Sequence, residues 1–540
     1  MDNRPNSLAA VPRLLLLPLC LVLGLACGDD DGGSGPADGT DGPANPGTPV
    51  PRQDGDATLG RDVFRFETFN NEQFFTDALR LPAGLMAEGA TPLQLLQLGV
   101  NVDLDAVPPA IMQELAAQLQ ADPSGQSSAF LNDPNSTVAL FNANAVIGLP
   151  LKDSNGDGVL DMLSGDKGGT SCALCHTRAG DGAVFTAPNG GSIGRRQDGL
   201  ATHNLNFGTL MSLAANSRAL YPLLQLSLSA NGGASIGRAP AGVTENSSEA
   251  EVDAYLSNPQ FYPVGMFDDT FDGNGDPMHN VPLFRQDLAA PFGSEGTIAR
   301  LDNFSNLVYT GLFDPTTLTT PGGRAFLNKL GGAAGDEIAN DYVQVLAATG
   351  VTGYPYVTAA PSAAPGTEDA PLGIRVDNAK LLGMNAYLVS LQAPPGMGDN
   401  PTGRQLFRTV GCTDCHNVDQ GIRVPSFVVP MKTIFPGDNP VTLATRMPPL
   451  NPVLNTVESI FDDKMAVVNA SLRGDVRGIA LPLLLDLATK PVFLHDNSVP
   501  NLDNLLDPGR GPTAPHPFYL TDPAQRAAMV AFLQGLDTSN

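Results

Sequence analysis

Cys172-Ala173-Leu174-Cys175-His176 and Cys412-Thr413-Asp414-Cys415-His416 repeat one five-residue pattern within a chain of 540 residues. Two thiols one helical turn apart can each form a thioether to the edge of a porphyrin. The histidine that follows then falls beneath the iron, so Cys-x-x-Cys-His reads as the attachment site of a c-type haem. Two covalent haems are expected, with His176 and His416 as proximal ligands. A bare Cys-x-x-Cys also serves zinc ribbons and dithiol redox centres. Zinc, however, needs two such knuckles folded against each other, and these stand far apart in the chain, each with its own trailing histidine. The chain has six cysteines. Outside the two motifs only Cys20 and Cys27 remain, which leaves no pair for a structural disulfide in the mature protein.

Residues 1–27 read as a secretion signal, with Arg4 and Arg13 in the basic region, Leu14 to Leu25 as the apolar run and a small-residue cleavage point at Ala26-Cys27. The end Leu25-Ala26-Cys27-Gly28 resembles the lipobox of bacterial lipoproteins, although Gly24 stands where that pattern usually has leucine. The resemblance implies lipidation of Cys27; the alternative is an ordinary cleaved signal with an incidental cysteine. Residues 28–56, rich in Gly, Asp and Pro, cannot bury a core and read as a flexible leash with a reach on the order of 30 Å. Gly28 lacks the charge of an inner-membrane retention signal, so a lipid anchor in the outer membrane of the cell envelope is expected, periplasmic or surface facing. No later run of some 20 apolar residues marks a membrane span.

The net charge is −26, from 30 basic and 56 acidic residues. Nucleic acid is thereby excluded as a partner, because phosphate contacts need clustered Lys and Arg. The acidic surface attracts basic redox proteins or serves solubility alone. The remaining length is too great for one core, and the patterning is mainly α with long loops, punctuated by 58 Gly and 47 Pro. Thr91-Pro92, then Leu93, Leu95, Leu96 and Leu98 closed by Gly99, has the signals of a capped helix. Ile111, Leu115 and Leu119 share a helix face. Residues 57–165 read as a helical N-terminal extension, 166–395 as a first haem domain closed by a helix over Asn378 to Gln392, and 396–540 as a second, with Pro394-Pro395 marking the boundary.

Gly403-Arg404-Gln405-Leu406-Phe407, running into Gly411-Cys412, resembles the first helix of class I cytochromes c. The final helix after Thr521-Asp522-Pro523 carries Met529, Phe532, Leu533 and Leu536 on one face, as if to pack against it. Two such domains, with the ending Phe493-Leu494-His495-Asp496-Asn497-Ser498-Val499-Pro500-Asn501-Leu502, resemble the bacterial dihaem cytochrome c peroxidase superfamily over roughly residues 165–540. That family has a His-Asp-Gly-Ser-like turn, from which this chain departs at Asn497. The resemblance implies a division of labour. One haem, usually the N-terminal one, offers peroxide an open coordination position, and the other accepts electrons from a small soluble protein of the cytochrome c or cupredoxin type. Members also include rubber oxygenases, so the scaffold does not settle the reaction. A dihaem peroxidase, a pure electron-transfer cytochrome and an oxygen-dependent oxidase all remain open. The family commonly places a tryptophan between its haems, and this chain has none.

Distal ligands decide among these. Of six histidines, His203, His279, His495 and His516 remain. The resemblance places His516 over the second haem, with Met447 or Met465 as the alternative, and makes His495 a turn residue near the haem edge. His203 follows the first motif closely enough to be a removable sixth ligand or a structural neighbour of an open site. Proton transfer between peroxide oxygens needs an acid-base group. Glu295 is the candidate by order along the chain, with Arg285 and Gln286 to stabilise a polarised oxygen or a propionate. Finally, Asp153, Asn155, Asp157, Val159 (through its carbonyl) and Asp161 alternate around Gly158 as in an EF-hand-type Ca²⁺ loop, with Ser164 where a bidentate Glu usually stands. A bare Asx-rich turn is the alternative, and Asp272-Gly273-Asn274-Gly275-Asp276 repeats half of the pattern.

Overall fold

The computed structural model describes residues 55–224, 243–259, 262–267, 278–289, 292–293, 298, 300–331, 333–358, 363–414, 416, 418, 428–430, 478–480, 482–494, 497, 499–510, 516 and 519–537. Cys27, the signal and most of the leash, Asp272 to Asp276, Glu295, Cys415, Met447, Met465 and His495 lie outside these residues. The described chain is mainly helical. No helix in it is long and apolar enough to cross a membrane.

Helix ends follow the local signals. Asp56 caps α1 (Ala57–Phe66), accepting the N–H of Thr58 at 2.8 Å. Thr91 caps α2 (Pro92–Gln97) in a reciprocal pair with Gln94, and Gly99 leaves it at φ 84°. On α3 (Pro109–Ala121) Leu115 and Leu119 are buried, while Ile111 is half-buried. The first haem motif supplies α4 (Ala173–His176), and α5 (Asn378–Ser390) buries Leu381 and Leu388. In the C-terminal part, α6 (Pro401–Thr409) is capped by Asn400 and α7 (Pro523–Gln534) by Asp522.

Two helix crossings organise the fold, and glycine makes both. A methyl group on Gly60 of α1 would sit 1.8 Å from the carbonyl oxygen of Gly383 on α5. One on Gly403 of α6 would sit 2.1 Å from that of Ala528 on α7. Only a residue without Cβ lets two backbones approach so closely. The α6–α7 pair is the helix packing anticipated around the second motif, with the rings of Phe407 and Phe532 5.6 Å apart. The α1–α5 pair is its counterpart beside the first motif: the hydroxyl of Ser171 donates to Arg65 O at 2.9 Å, and Cys172 Sγ lies 3.9 Å from Met384 Sδ on α5. Thus α1, assigned from sequence to an extension, stands beside the first Cys-x-x-Cys-His motif. The residues between them share one apolar core with later ones, from Phe74 through Leu115 and Leu174 to Leu372. A separate cluster, Phe407 to Leu536, lies beyond Pro394-Pro395.

A β-element absent from the helical expectation follows α4 directly. β1 (Val102–Asp103) lies parallel to β3 (Ser192–Asp198), which pairs antiparallel with β2 (Thr177–Thr186), Val102 opposite Ile193 and Phe185 opposite the same residue. The register slips between Arg178 and Asp181 and again before Phe185, which bends the hairpin. Asp198 ties it to both helices. Its buried carboxylate accepts from Arg65 Nε and Tyr387 Oη, each at 2.6 Å, and from Thr177 Oγ1 at 2.9 Å.

Asp302, buried at the start of the helix Leu301–Leu307, accepts from Arg375 Nη2 at 2.6 Å and from Arg300 Nε at 3.1 Å. Burial opposes its ionisation, but the hydrogen bonds and charges of Arg375 and Arg300 prevail and hold the carboxyl below the usual range. A depressed folded-state value contributes stability that is present above the ordinary carboxylate pKa and is lost as pH falls through the folded one. Asp302→Asn should cost about 2–3 kcal/mol at neutral pH. The gap between the variant and the parent should narrow in thermal unfolding below about pH 4. Gly60→Ala should destabilise by about 1–3 kcal/mol through overpacking. By contrast Gly180→Ala, whose new methyl would meet only the Gln197 side-chain oxygen at 3.4 Å, should stay within about 0.5 kcal/mol.

Candidate haem-binding sites

One turn of helix presents all three groups of the first motif. Cys172 is the N-cap of α4, and the N–H of His176 donates back to Cys172 O at 3.2 Å. The turn lies on bare backbone: at Gly148, φ 79°, a methyl would come within 2.1 Å of Leu174 Cα. Its carbonyls are satisfied by the loop that follows β3. Thr202 donates to Cys175 O through both its N–H and its hydroxyl at 2.9 Å, and Gly199 N–H donates to His176 O at 2.8 Å.

Cys172, Cys175 and His176 line a cavity of about 280 Å³ whose wall is otherwise largely Phe, Leu and Val, among them Phe207, Phe284, Phe292 and Phe304. The partial exposure of the two thiols and the imidazole is surface on this cavity. Nδ1 of His176 lies 2.8 Å from Val281 O. A carbonyl can only accept, so the proton resides on Nδ1 and the lone pair on Nε2, the form in which imidazole ligates a metal. Burial pushes its pKa down to about 4, against the opposing pull of the Val281 hydrogen bond, so the ring is neutral at physiological pH. Burial also pushes the thiols up, to about 11 for Cys172 and about 12 for Cys175. A dithiol redox centre needs the reverse, a thiolate stabilised by its surroundings.

His279 lines the same cavity, with its Nδ1 2.8 Å from Asn497 Oδ1. His203 stacks behind it, ring centroids 5.3 Å apart, and is not part of the cavity wall. Both of its ring nitrogens are buried without a hydrogen-bond partner among the described residues, and burial pushes its pKa down to about 3. Gln286 is in the wall, its side-chain amide donating to Phe284 O at 3.2 Å, while Arg285 is held by Asp287 in two contacts of 2.9 and 3.0 Å. The position of Gly293, two residues before Glu295, is also in the wall. His279 carries no sequence signal beyond its residue type; what places it is the short pairing of Met266–Phe267 with Met278–His279.

At the second motif α6 leads into a tight turn, Cys412–Asp414, and His416 N–H donates to Cys412 O at 2.9 Å. The ring of His516 faces that of His416 with centroids 6.2 Å apart. Two imidazoles bound in line to one ion, at about 2.0–2.1 Å per bond, place their centroids roughly 6–6.5 Å apart. Burial pushes the two rings to about 4 and about 3 respectively, so both are neutral donors of a lone pair. His516 sits at φ 52° between two prolines, a left-handed backbone that a non-glycine residue adopts only where its surroundings impose it. Arg510, nearly fully buried, reaches from the preceding turn toward the carbonyls of Leu505 at 3.3 Å and His516 at 3.5 Å. A lone arginine between glycines gave no sign of this. The first constellation fits a haem held by two thioethers and a neutral histidine; at the second, the described residues offer Cys412 and two neutral histidines facing each other.

The Asp153–Asp161 loop is folded by its own side chains. Asp153 accepts from the N–H groups of Gly156 and Gly158 at 2.7 and 2.9 Å, Asn155 from Asp157 at 2.8 Å and Asp157 from Val159 at 2.8 Å. Gly156 and Gly158 are left-handed, at φ 77° and 82°. Asp166, buried and outside the motif, anchors the loop by accepting from Ser154 at 2.9 Å and Asp161 at 2.8 Å.

No family model matches the chain, and no curated protein matches it. Among solved structures it shows a similarity to hydrazine synthase of Kuenenia stuttgartiensis, pressurised with 20 bar xenon. The identity is 13%, over 49% of this chain and 74% of that one, with a TM-score of 0.23, too low to carry an argument about fold or function.

Cys172→Ala and Cys412→Ala should each weaken one attachment. The double replacement of both cysteines in either motif should lower the intact mass by one haem, leaving the other site loaded, as mass spectrometry of the denatured protein would register.

Proposed function

We propose that the chain is an exported dihaem c-type cytochrome of peroxidase type. In this reading electrons enter from a small soluble redox protein at the haem of Cys412 and Cys415, and hydrogen peroxide is reduced at the haem of Cys172 and Cys175. The reading rests on one asymmetry: His416 faces a second imidazole at ion-bridging distance, whereas His176 faces a cavity. When bound, the haems supply one-electron transfer and, at an iron with a free face, the two-electron, two-proton reduction of peroxide to two waters.

The chain's own groups supply the rest. Val281 O holds the proton on His176 Nδ1, and the largely apolar, aromatic wall offers few polar partners to water. Glu295 is the proton carrier in this proposal, with the Gln286 amide beside the cavity and Arg285 held nearby by Asp287. The two parts of the chain meet where Asn497 bonds His279 and donates to Val264 O at 3.4 Å. Asn497 has φ 57°, a conformation suited to the glycine of the resembling turn and, next to glycine, to asparagine. Here it also supplies a side chain that joins the two parts of the chain. The proposal extends to Ca²⁺ on the Asp153–Asp161 loop and to a lipid anchor at Cys27 that holds the enzyme at the outer membrane.

Cyanide or carbon monoxide, followed optically, should saturate at one ligand per chain, with the haem at Cys412 silent. Peroxide should then be consumed in the presence of a reduced donor. Failure to bind either ligand would make the chain an electron wire, and binding without peroxide turnover would move it to oxygen-dependent oxidation. His516→Ala should convert the second haem from a six-coordinate low-spin to a high-spin ferric spectrum; an unchanged spectrum would remove His516 as its ligand.

A further inference from the structure

Among the described residues that line the first cavity, Lys490 alone is an acid or a strong base: no Asp, Glu or Arg stands in the wall. It arrives from the far end of the chain, with Pro482, Leu483 and Leu485 beside it in the wall. Its ammonium lies 5.4 Å from the ring centre of Phe493. Asp486, the acid on its own turn, accepts from the Thr489 hydroxyl through Oδ1 at 2.6 Å and forms no ion pair with Lys490. Among the described residues, Asp486 favours the ammonium, Arg178 acts on both Asp486 and His203, and His203 is itself neutral. Burial outweighs Asp486 and pushes Lys490 down to about 8, so it remains largely a cation at neutral pH. A cation in an apolar wall that forms no ion pair among the described residues is costly unless an anion joins it.

A porphyrin bonded at Cys172 and Cys175 would bring such an anion, because its two propionate carboxylates lie on the edge away from the thioethers. We propose that Lys490 forms an ion pair with a propionate of the haem at Cys172 and Cys175, so that residues 482–490 of the C-terminal part complete the haem site of the N-terminal part. This rests on the dihaem reading. It also makes Lys490 a positioning residue: its positive charge favours the ferrous, more negative form of that haem, and its place beside Asp486 and Phe493 couples the cavity to the C-terminal core.

The test uses the intact protein, with attachment of both haems first established by mass. Potentiometric titration of Lys490→Met should show the ferric-to-ferrous ratio of the His176 haem at fixed potential rising about tenfold, equivalent to a fall of about 59 mV for one electron. The His416 haem should be unchanged, and Lys490→Arg should keep the parent value. Resonance Raman spectra of Lys490→Gln should show a shifted propionate bending band, which tests the contact in a milder variant. An unmoved potential together with an unmoved band would overturn the proposal. So would a change of ferric spin state in Lys490→Met, which would make the amine an axial ligand. A parent protein without covalent haem would instead sink the dihaem reading itself.

Discussion

The hydrogen bond between His176 Nδ1 and the carbonyl of Val281 is the constraint on which the first site depends. It sets the tautomer, turns the other nitrogen toward the cavity and ties a one-turn helix to a strand end that also carries His279. The thiols on α4 and Met384 on α5 border the same cavity as that ring. The cost of burying a neutral imidazole is modest, which is why the site tolerates an apolar wall.

Helix crossings at glycine set the frame around both motifs. At Gly60 with Gly383, and at Gly403 with Ala528, backbone meets backbone without an intervening side chain. In the C-terminal part the first helix of the pair leads straight into the attachment turn. In the N-terminal part the chain leaves α1, builds a helical layer and a short sheet, and returns to the same place through Ser171 and Arg65. Asp198 holds that return, since its carboxylate binds α1, α5 and the start of the hairpin together.

The sites differ in how each histidine is opposed. His516 is brought over His416 by a strained backbone and a buried arginine. The space before His176 is lined largely by apolar and aromatic side chains, with, among the described residues, one lysine contributed from the distant C-terminal part. Unlike surroundings for like motifs are what a division between electron entry and substrate reduction requires.

Local features were legible in the chain because their causes are local. The cap at Thr91, the buried face of α3 and the helices α5, α6 and α7 all depend on residues a few positions apart. His516, chosen by resemblance, does stand opposite His416. What lay beyond the sequence depends on contacts between distant segments. The partnership of α1 with α5 was hidden because a glycine in a helix signals nothing until its partner backbone is known. The hairpin after His176 was hidden because its register is irregular. His203 and His279 are equal as letters, and the fold alone places His279 in the cavity wall with His203 behind it. The cavity, the lysine in its wall and the seam at Asn497 likewise exist only once distant parts of the chain meet, because burial and charge pairing are properties of that meeting and not of any short stretch of residues.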